Sequence, residues 1–357
     1  MADKSTAGPG AFLRGALPFT PAGAAGLFAA AELQDCAAHV LMTMAQVAPA
    51  DVASTALGEK VNQGQSPLAL GRGNAFERQL TRGVPSRLGV ALGHNGLGTD
   101  LFVDVTRRVP MPPSGHGREE ALRRREQATL DVLADGGAAT VWQGALTVTL
   151  GKVAFRVQPD LIIRDDTGRL RVGEVKSWAD NGPRTSGRAL SSALGQVAVG
   201  DLALRQAGHV TVPEAVLVLA RPRSSDASVR VQATGREKAL IDDAARAFPQ
   251  VASDALRRLP PGSTLDQSDT VRALPTAYGD LCRLRCALAD WCRRRAVERG
   301  DPAVLGDAAA GDLEPGALLR GPNARPPLLQ AAVDAHLRAT GLTTAPTQAA
   351  EGDPTRA

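Results

Sequence analysis

The stretch that constrains this chain most is residues 157–178, V-Q-P-D-L-I-I-R-D-D-T-G-R-L-R-V-G-E-V-K-S-W. Apolar, β-branched runs flank the cluster Asp165-Asp166-Thr167-Gly168, so the segment reads as two strands joined by a turn. Side chains alternate along a strand, and Glu174 and Lys176, two residues apart, therefore share a face. Pro159 has no amide hydrogen and disturbs the ladder where Asp160 emerges. Hairpin pairing then brings Asp160 alongside Glu174 and Lys176. Two carboxylates and an ammonium on one surface are costly to bury without compensation. A divalent cation between the carboxylates supplies it, leaving the lysine to hold a water or an anionic oxygen. The bland alternative is a surface hairpin whose charges stay solvated.

Pro159-Asp160, a spacer, then Glu174-Val175-Lys176 resembles the motif of the PD-(D/E)XK nuclease superfamily, and the flanking segments resemble its RecB-like branch. The first motif of that branch has a glycine followed four places later by a metal-touching histidine. In residues 71–80, G-R-G-N-A-F-E-R-Q-L, Gly73 fits the glycine and Glu77 stands at the histidine position. A carboxylate there suits a hard cation, although Glu77 also reads as a solvated helix residue near Arg78. The segment W-Q-G-A-L, ahead of a glycine turn and the P-D strand, is similar to the same branch and gives Gln143 a structural role. In the branch, a helix after the lysine strand carries Q-x-x-x-Y with its glutamine facing the site. Here Gln196 is present and Gly200 replaces the tyrosine.

The resemblance implies an α/β, restriction-endonuclease-like core: a mixed central sheet flanked by helices. It also implies a metal-dependent DNA nuclease acting on single-stranded or free-ended DNA, in repair and recombination or in phage defence such as CRISPR adaptation. Asp160 and Glu174, with Glu77, would hold Mg2+ or Mn2+; Lys176 and Gln196 would place the attacking water and stabilise the phosphate. Arg184, Arg188 and the run Arg123-Arg124-Arg125 are candidates for contacts to the DNA backbone. Aromatic residues make up only 3% of the chain, which leaves little provision for stacking bases and favours sequence-independent backbone contact.

Four cysteines are present: Cys36, and then Cys282, Cys286 and Cys292. Four thiolates suit an iron-sulfur cluster or a zinc ion equally on count. One cysteine before the core and three after it resembles the iron-sulfur nucleases, including the AddB-type enzymes. There a [4Fe-4S] cluster makes a helical clasp joining the N- and C-terminal parts of the fold. Their usual C-x2-C-x5-C is here C-x3-C-x5-C. Structural Zn2+ is the main competitor to the cluster; disulfides compete only in an oxidising compartment.

The balance of 41 Lys and Arg against 37 Asp and Glu, net +4, permits a polyanionic partner without demanding one. No run is long and apolar enough to span a membrane, and Pro18 and Pro21 interrupt a small-residue N-terminal stretch that makes a poor signal peptide. The expectation is a cytoplasmic protein. Composition suggests a loose arm over residues 1–26, the nuclease domain with its clasp over 27–299, and a Pro/Gly/Ala-rich tail over 300–357 with one short helix over 327–340. Further expectations are a continuous helix over 27–48 carrying Cys36 and His39 on one face, a strand over 139–149, and a helix over 236–259 kinked or broken at Pro249. His94 and Asp104 have no evident partners. No G-x-x-x-x-G-K-[ST] motif is present, so any unwinding would come from a helicase or integrase partner. Two other classes fit the same residues: a catalytically weak, cluster-bearing DNA-binding subunit of such a complex, and a zinc-stapled hydrolase or interaction protein.

Overall fold

Residues 157–178 do pair as a hairpin, and the rest of a mixed sheet is assembled around it. The computed structural model describes residues 12–61, 67–82, 86–97, 101–112, 117–135, 139–222, 224, 226–279 and 281–299. Two compact units are present, residues 1–276 and 277–357. The first carries a six-stranded sheet ordered β1 (Leu101–Asp104), β2 (Ala139–Trp142), β5 (Leu161–Arg164), β6 (Leu170–Ala179), β7 (Thr211–Ala220) and β8 (Ala227–Ala233). A separate two-stranded sheet pairs β3 (Leu146–Leu150) with β4 (Val153–Val157). β5 and β6 run antiparallel with Leu161 opposite Gly173, and β6 and β7 run parallel with Glu174 opposite Leu217. The hairpin turn is held by Asp165, whose side chain accepts from the amides of Thr167 and Arg169. That is the Asx-type turn an Asp/Gly cluster favours.

Period-2 alternation divides β6 between two helical layers. Val175, with Leu161, Ile163, Val216 and Val218 from neighbouring strands, packs into a core with Phe76, Leu80, Leu88 and Leu92. These last four lie on α4 (Pro67–Leu80) and α5 (Arg87–Gly93). The other parity, Val172 and Glu174, faces α8 (Gly187–Gln206), the crossover between β6 and β7. α8 is nearly enclosed, because α1 (Ala24–Glu32) and α9 (Gly235–Leu256) pack on it from outside. Buried residues therefore occupy most of its circumference, from Ala193 to Leu204, instead of a single stripe. Among the described residues, no single helix is long and apolar enough to cross a membrane.

Several sequence expectations need correction. The helix over 27–48 is two helices, α1 and α2 (Ala37–Met44), and Cys36 is the N-cap residue of α2 in extended conformation. Cys36 and His39 are therefore not successive positions on one helix face. The strand over 139–149 breaks at Gln143, whose φ of 50° turns the chain out of the main sheet before β3 begins. α9 continues through Pro249. Asp104 does have partners, because it caps the short α6 (Val105–Arg108) and accepts from the Thr106 amide and hydroxyl. The described part of the N-terminal arm is tied down. Leu13 and Leu17 are buried, the Leu265 amide donates to the Leu13 carbonyl, and the Ala16 amide donates to Asp266. The boundary between the two compact units falls at 276/277. Residues 1–11 of the arm and the tail with its helix over 327–340 lie outside the described residues.

The second unit is described from Ala277 to Arg299, apart from residue 280. It contains α11 (Cys282–Arg285) and α12 (Ala289–Arg299), numbered after α7 (Arg118–Ala134) and α10 (Ser268–Ala273) of the first. α3 (Pro49–Leu57) packs on α10 within the first unit.

The approach of α8 to α1 requires a residue without a side chain. A Cβ on Gly195 would overlap the ring of Phe28, itself only 2% exposed. Gly195→Ala is expected to destabilise the protein by about 1–3 kcal/mol, the usual cost of overpacking. Phe28→Leu in the same chain should recover part of that loss in urea unfolding, because it trims the group that is struck.

Candidate functional site

Asp160 leaves the end of β5 beside the middle of β6. Its Oδ2 accepts the Val175 amide at 2.9 Å. Its side chain also meets that of Glu174. Lys176 Nζ donates to Glu174 Oε1 at 2.5 Å and to Gln196 Oε1 at 3.3 Å. Gln196 is oriented from its own helix, its Nε2 donating to the Ser192 carbonyl at 3.1 Å. Glu77, on the last turn of α4, joins through Gln143, whose Nε2 donates to Glu77 Oε2 at 3.3 Å and to Asp160 Oδ1 at 3.2 Å. The structure thus brings five of the residues singled out from the sequence into one cluster: Glu77, Asp160, Glu174, Lys176 and Gln196. Gln143 is a sixth member, for which the sequence indicated only a structural role.

Burial governs the electrostatics. Glu174 is 6% exposed, and desolvation, followed by the charge of Asp160, pushes its carboxyl up to about 8. Asp160 is raised by burial, against the pull of the Val175 amide and Lys176. Glu77 is raised by burial and then by Asp160. For Lys176, burial works to lower the pKa, but Glu174, Asp160 and Glu77 outweigh it and the net shift is upward. One ammonium is left to serve three carboxyl groups that resist ionising together.

Asp160, Glu174 and Gln196 line a cleft of about 890 Å³. Its walls come from the β3–β4 hairpin, from α7, and from the segment preceding α1 with Phe19. The arginines on these walls are Arg118 and Arg156, neither of which the sequence motifs singled out. Arg156 is paired with Glu119 and Glu126. Arg184 and Arg188 are exposed at the start of the segment after β6 and do not line this cleft. Arg125 is not available to a phosphate: it is 4% exposed and donates to the Val109 carbonyl at 2.8 Å. Arg123 pairs with Glu120. A second cavity, of about 560 Å³ between α2 and α9, is mainly apolar and lined by no carboxylate.

At Gly200 the space beyond the backbone is already filled. An ideal Cβ there lies 3.0 Å from Val172 Cγ1 and 3.2 Å from Pro159 Cγ, so the strand leading to the carboxylates occupies the space of a larger side chain.

A scan against protein-family models and a search of curated proteins return no match. Among solved structures, "Crystal structure of SSO0001" matches at 15% identity over 54% of this chain and 89% of that one, with a TM-score of 0.20. A likeness this low carries no argument.

The four cysteines are all buried and none forms a disulfide. Cys36 belongs to the first unit. In the second, Cys282 opens α11, Cys286 follows it and Cys292 lies in the first turns of α12. Cys282 Sγ accepts the Gly279 amide at 3.4 Å. Thiols suit zinc or iron-sulfur ligation, and the carboxylates suit hard cations. Yet no group of three or more His, Cys, Asp or Glu side chains among the described residues is arranged to hold a metal ion. In both places the donor chemistry fits and a ready-made ligand shell is not present.

The pKa shifts set a pH dependence with opposed parts. Glu174 keeps a proton when folded that it loses when unfolded, so stability falls as pH rises from about 4.5 to about 8. His39, buried with its Nδ1 unpartnered, is lowered from 6.5 to about 4, so its part is lost as pH falls through that range. Only the carboxyl part acts above pH 6.5. In chelator, the thermal midpoint of the wild type should fall between pH 6.5 and 8, and that of Glu174→Gln should fall less. Equal slopes would show that Glu174 ionises normally.

Proposed function

We propose that the chain is a metal-dependent DNA nuclease of the RecB-like PD-(D/E)XK kind, hydrolysing phosphodiester bonds of single-stranded or free-ended DNA. The observation that carries this reading is the meeting of Asp160, Glu174 and Lys176, the two carboxylates of which line the cleft. The order of elements also agrees with a restriction-endonuclease-like core: a helix bearing Glu77, the β5–β6 hairpin, a helix bearing Gln196, and a parallel strand.

In this reading Asp160 and Glu174, with Glu77, would hold Mg2+ or Mn2+, which would supply water activation and charge neutralisation at the phosphate. Lys176 keeps its proton, because the carboxylates around it raise its affinity for one. Its ammonium is therefore a fixed positive charge for the phosphate oxygens or a donor to the attacking water. Gln196 fixes the direction of that ammonium, since its own amide is anchored on the Ser192 carbonyl. Arg118 on the cleft wall, with Arg184 and Arg188 beyond it, supplies charge for the DNA backbone.

Cys36, Cys282, Cys286 and Cys292 are proposed as ligands of a clasping [4Fe-4S] cluster, with Zn2+ as the competing occupant. The chain's one-plus-three spacing and the burial of all four thiols support this. A helicase or integrase partner remains part of the proposal, because the chain has no phosphate-cradling loop of its own.

Purified protein with Mn2+ should degrade linear single-stranded DNA. Lys176→Ala and Glu174→Ala should each lower the rate at least ~100-fold, the usual worth of a positioned proton-transfer group. Wild type and variants degrading DNA equally would rule the reading out and point to a contaminant or another site. After anaerobic purification, iron and a broad visible absorption should be present, and Cys286→Ser should lose both. A colourless, zinc-loaded, iron-free protein would remove the cluster.

A further inference from the structure

Gln143 holds an unusual position. It is one of two non-glycine residues with positive φ among the described residues, at 50°, a strained conformation that persists only where the surroundings impose it. The surroundings do impose it. The Gln143 amide donates to the Asp160 carbonyl at 2.8 Å, which pins the turn to the strand that carries the first carboxylate. On the other side, the Ala145 amide donates to Thr129 Oγ1 at 3.1 Å, and that hydroxyl donates to the Arg125 carbonyl at 2.8 Å. Thr129 is fully buried and stands 3.0 Å from where a Cβ on Gly144 would be. The turn is braced from β5 and from α7 at once.

From this braced turn the side-chain amide reaches Asp160 Oδ1 and Glu77 Oε2 together. An –NH2 group has two hydrogens, and it can donate to one oxygen of each carboxylate. A lysine here would also neutralise them. The amide links them and leaves their negative charge in place, so the need for a cation persists. Glu77 comes from a helix far away in sequence, and this amide ties its carboxylate to the hairpin.

We infer that Gln143 is a positioning residue that sets the spacing of the Asp160 and Glu77 carboxylates, so that the two act as one oxygen-donor pair. This deepens the nuclease reading and rests on it for the use of the pair, while the pairing itself is a property of the chain. Residues that orient ligands typically cost 10–100-fold in metal affinity when removed.

The test is Mn2+ affinity by calorimetry on the full chain, for wild type, Gln143→Leu, Gln143→Gly, Glu77→Ala and Gln143→Leu with Glu77→Ala. Each single variant should bind Mn2+ at least ~10-fold more weakly, and the double variant no more weakly than the worse single. Gln143→Gly relieves the positive φ, so it should keep the wild-type thermal midpoint in chelator while still losing affinity, a split that a merely structural glutamine would not give. Gln143 variants that bind Mn2+ as the wild type does, losses that multiply in the double variant, or a wild type that binds no Mn2+ would overturn the inference. Coupled losses in a protein that cleaves no DNA would sink the nuclease reading and leave the positioning role standing. Cleavage with multiplied losses would do the reverse.

Discussion

Withdrawing the Glu174 carboxylate from water is the constraint from which the rest of the first unit follows. A buried carboxylate beside a second one is expensive, with several kcal/mol per ion as the common scale, unless partners surround it. Here Lys176 on the same strand donates to Glu174, and the second carboxylate, Asp160, accepts the Val175 amide and the Gln143 side-chain amide, while Gln196 accepts from Lys176. None of these cancels the whole charge. The cluster remains short of positive charge, and under the nuclease reading that shortage is what a cation would make good.

Other buried charges in the same unit show the contrast. Asp201 on α8 lies between Arg205 and Lys238, with Arg205 also bound to Asp242. Asp180, just past β6, is gripped by Arg230 and accepts from the Ser228 hydroxyl. In each, cations match or exceed the carboxylates, and the network joins α8 to α9 or the end of β6 to β8. Such networks hold elements together. The Asp160–Glu174–Glu77 group has the reverse balance, which is why chemistry is assigned to it and stabilisation to them.

Much of the floor of the site was legible because it depends on local rules. The Asp/Gly turn and the two-residue period determined the β5–β6 pairing, and pairing alone brought Asp160 to Glu174 and Lys176. Gln196 was legible only through the resemblance to the Q-x-x-x-Y helix that follows the lysine strand. What could not be read depends on backbone geometry and on contacts distant in sequence. The left-handed turn at Gln143 sits in a run of strand-forming residues that reads as continuous, so neither the break nor the second sheet was visible. The only signal was the glycine that follows. Pro249 suggested a kinked or broken helix; tertiary packing on α8 and α2 carries α9 through it without a break. The arginines chosen from the sequence were chosen for charge, and burial then removed Arg125 from the surface while the fold put Arg118 and Arg156 at the cleft.

The break at Gln143 also separates two jobs. Between it and Asp160 the chain makes an excursion, the β3–β4 hairpin, and the Gln143 amide and Asp160 carbonyl close its neck with a hydrogen bond. Beyond that knot, Thr147, Ala154 and Arg156 line the cleft while Leu146, Val148, Phe155 and Val157 are buried in the core. Under the nuclease reading, exchanges at the cleft-lining positions Thr147 and Ala154 would change what is admitted while leaving the Gln143–Asp160 knot in place.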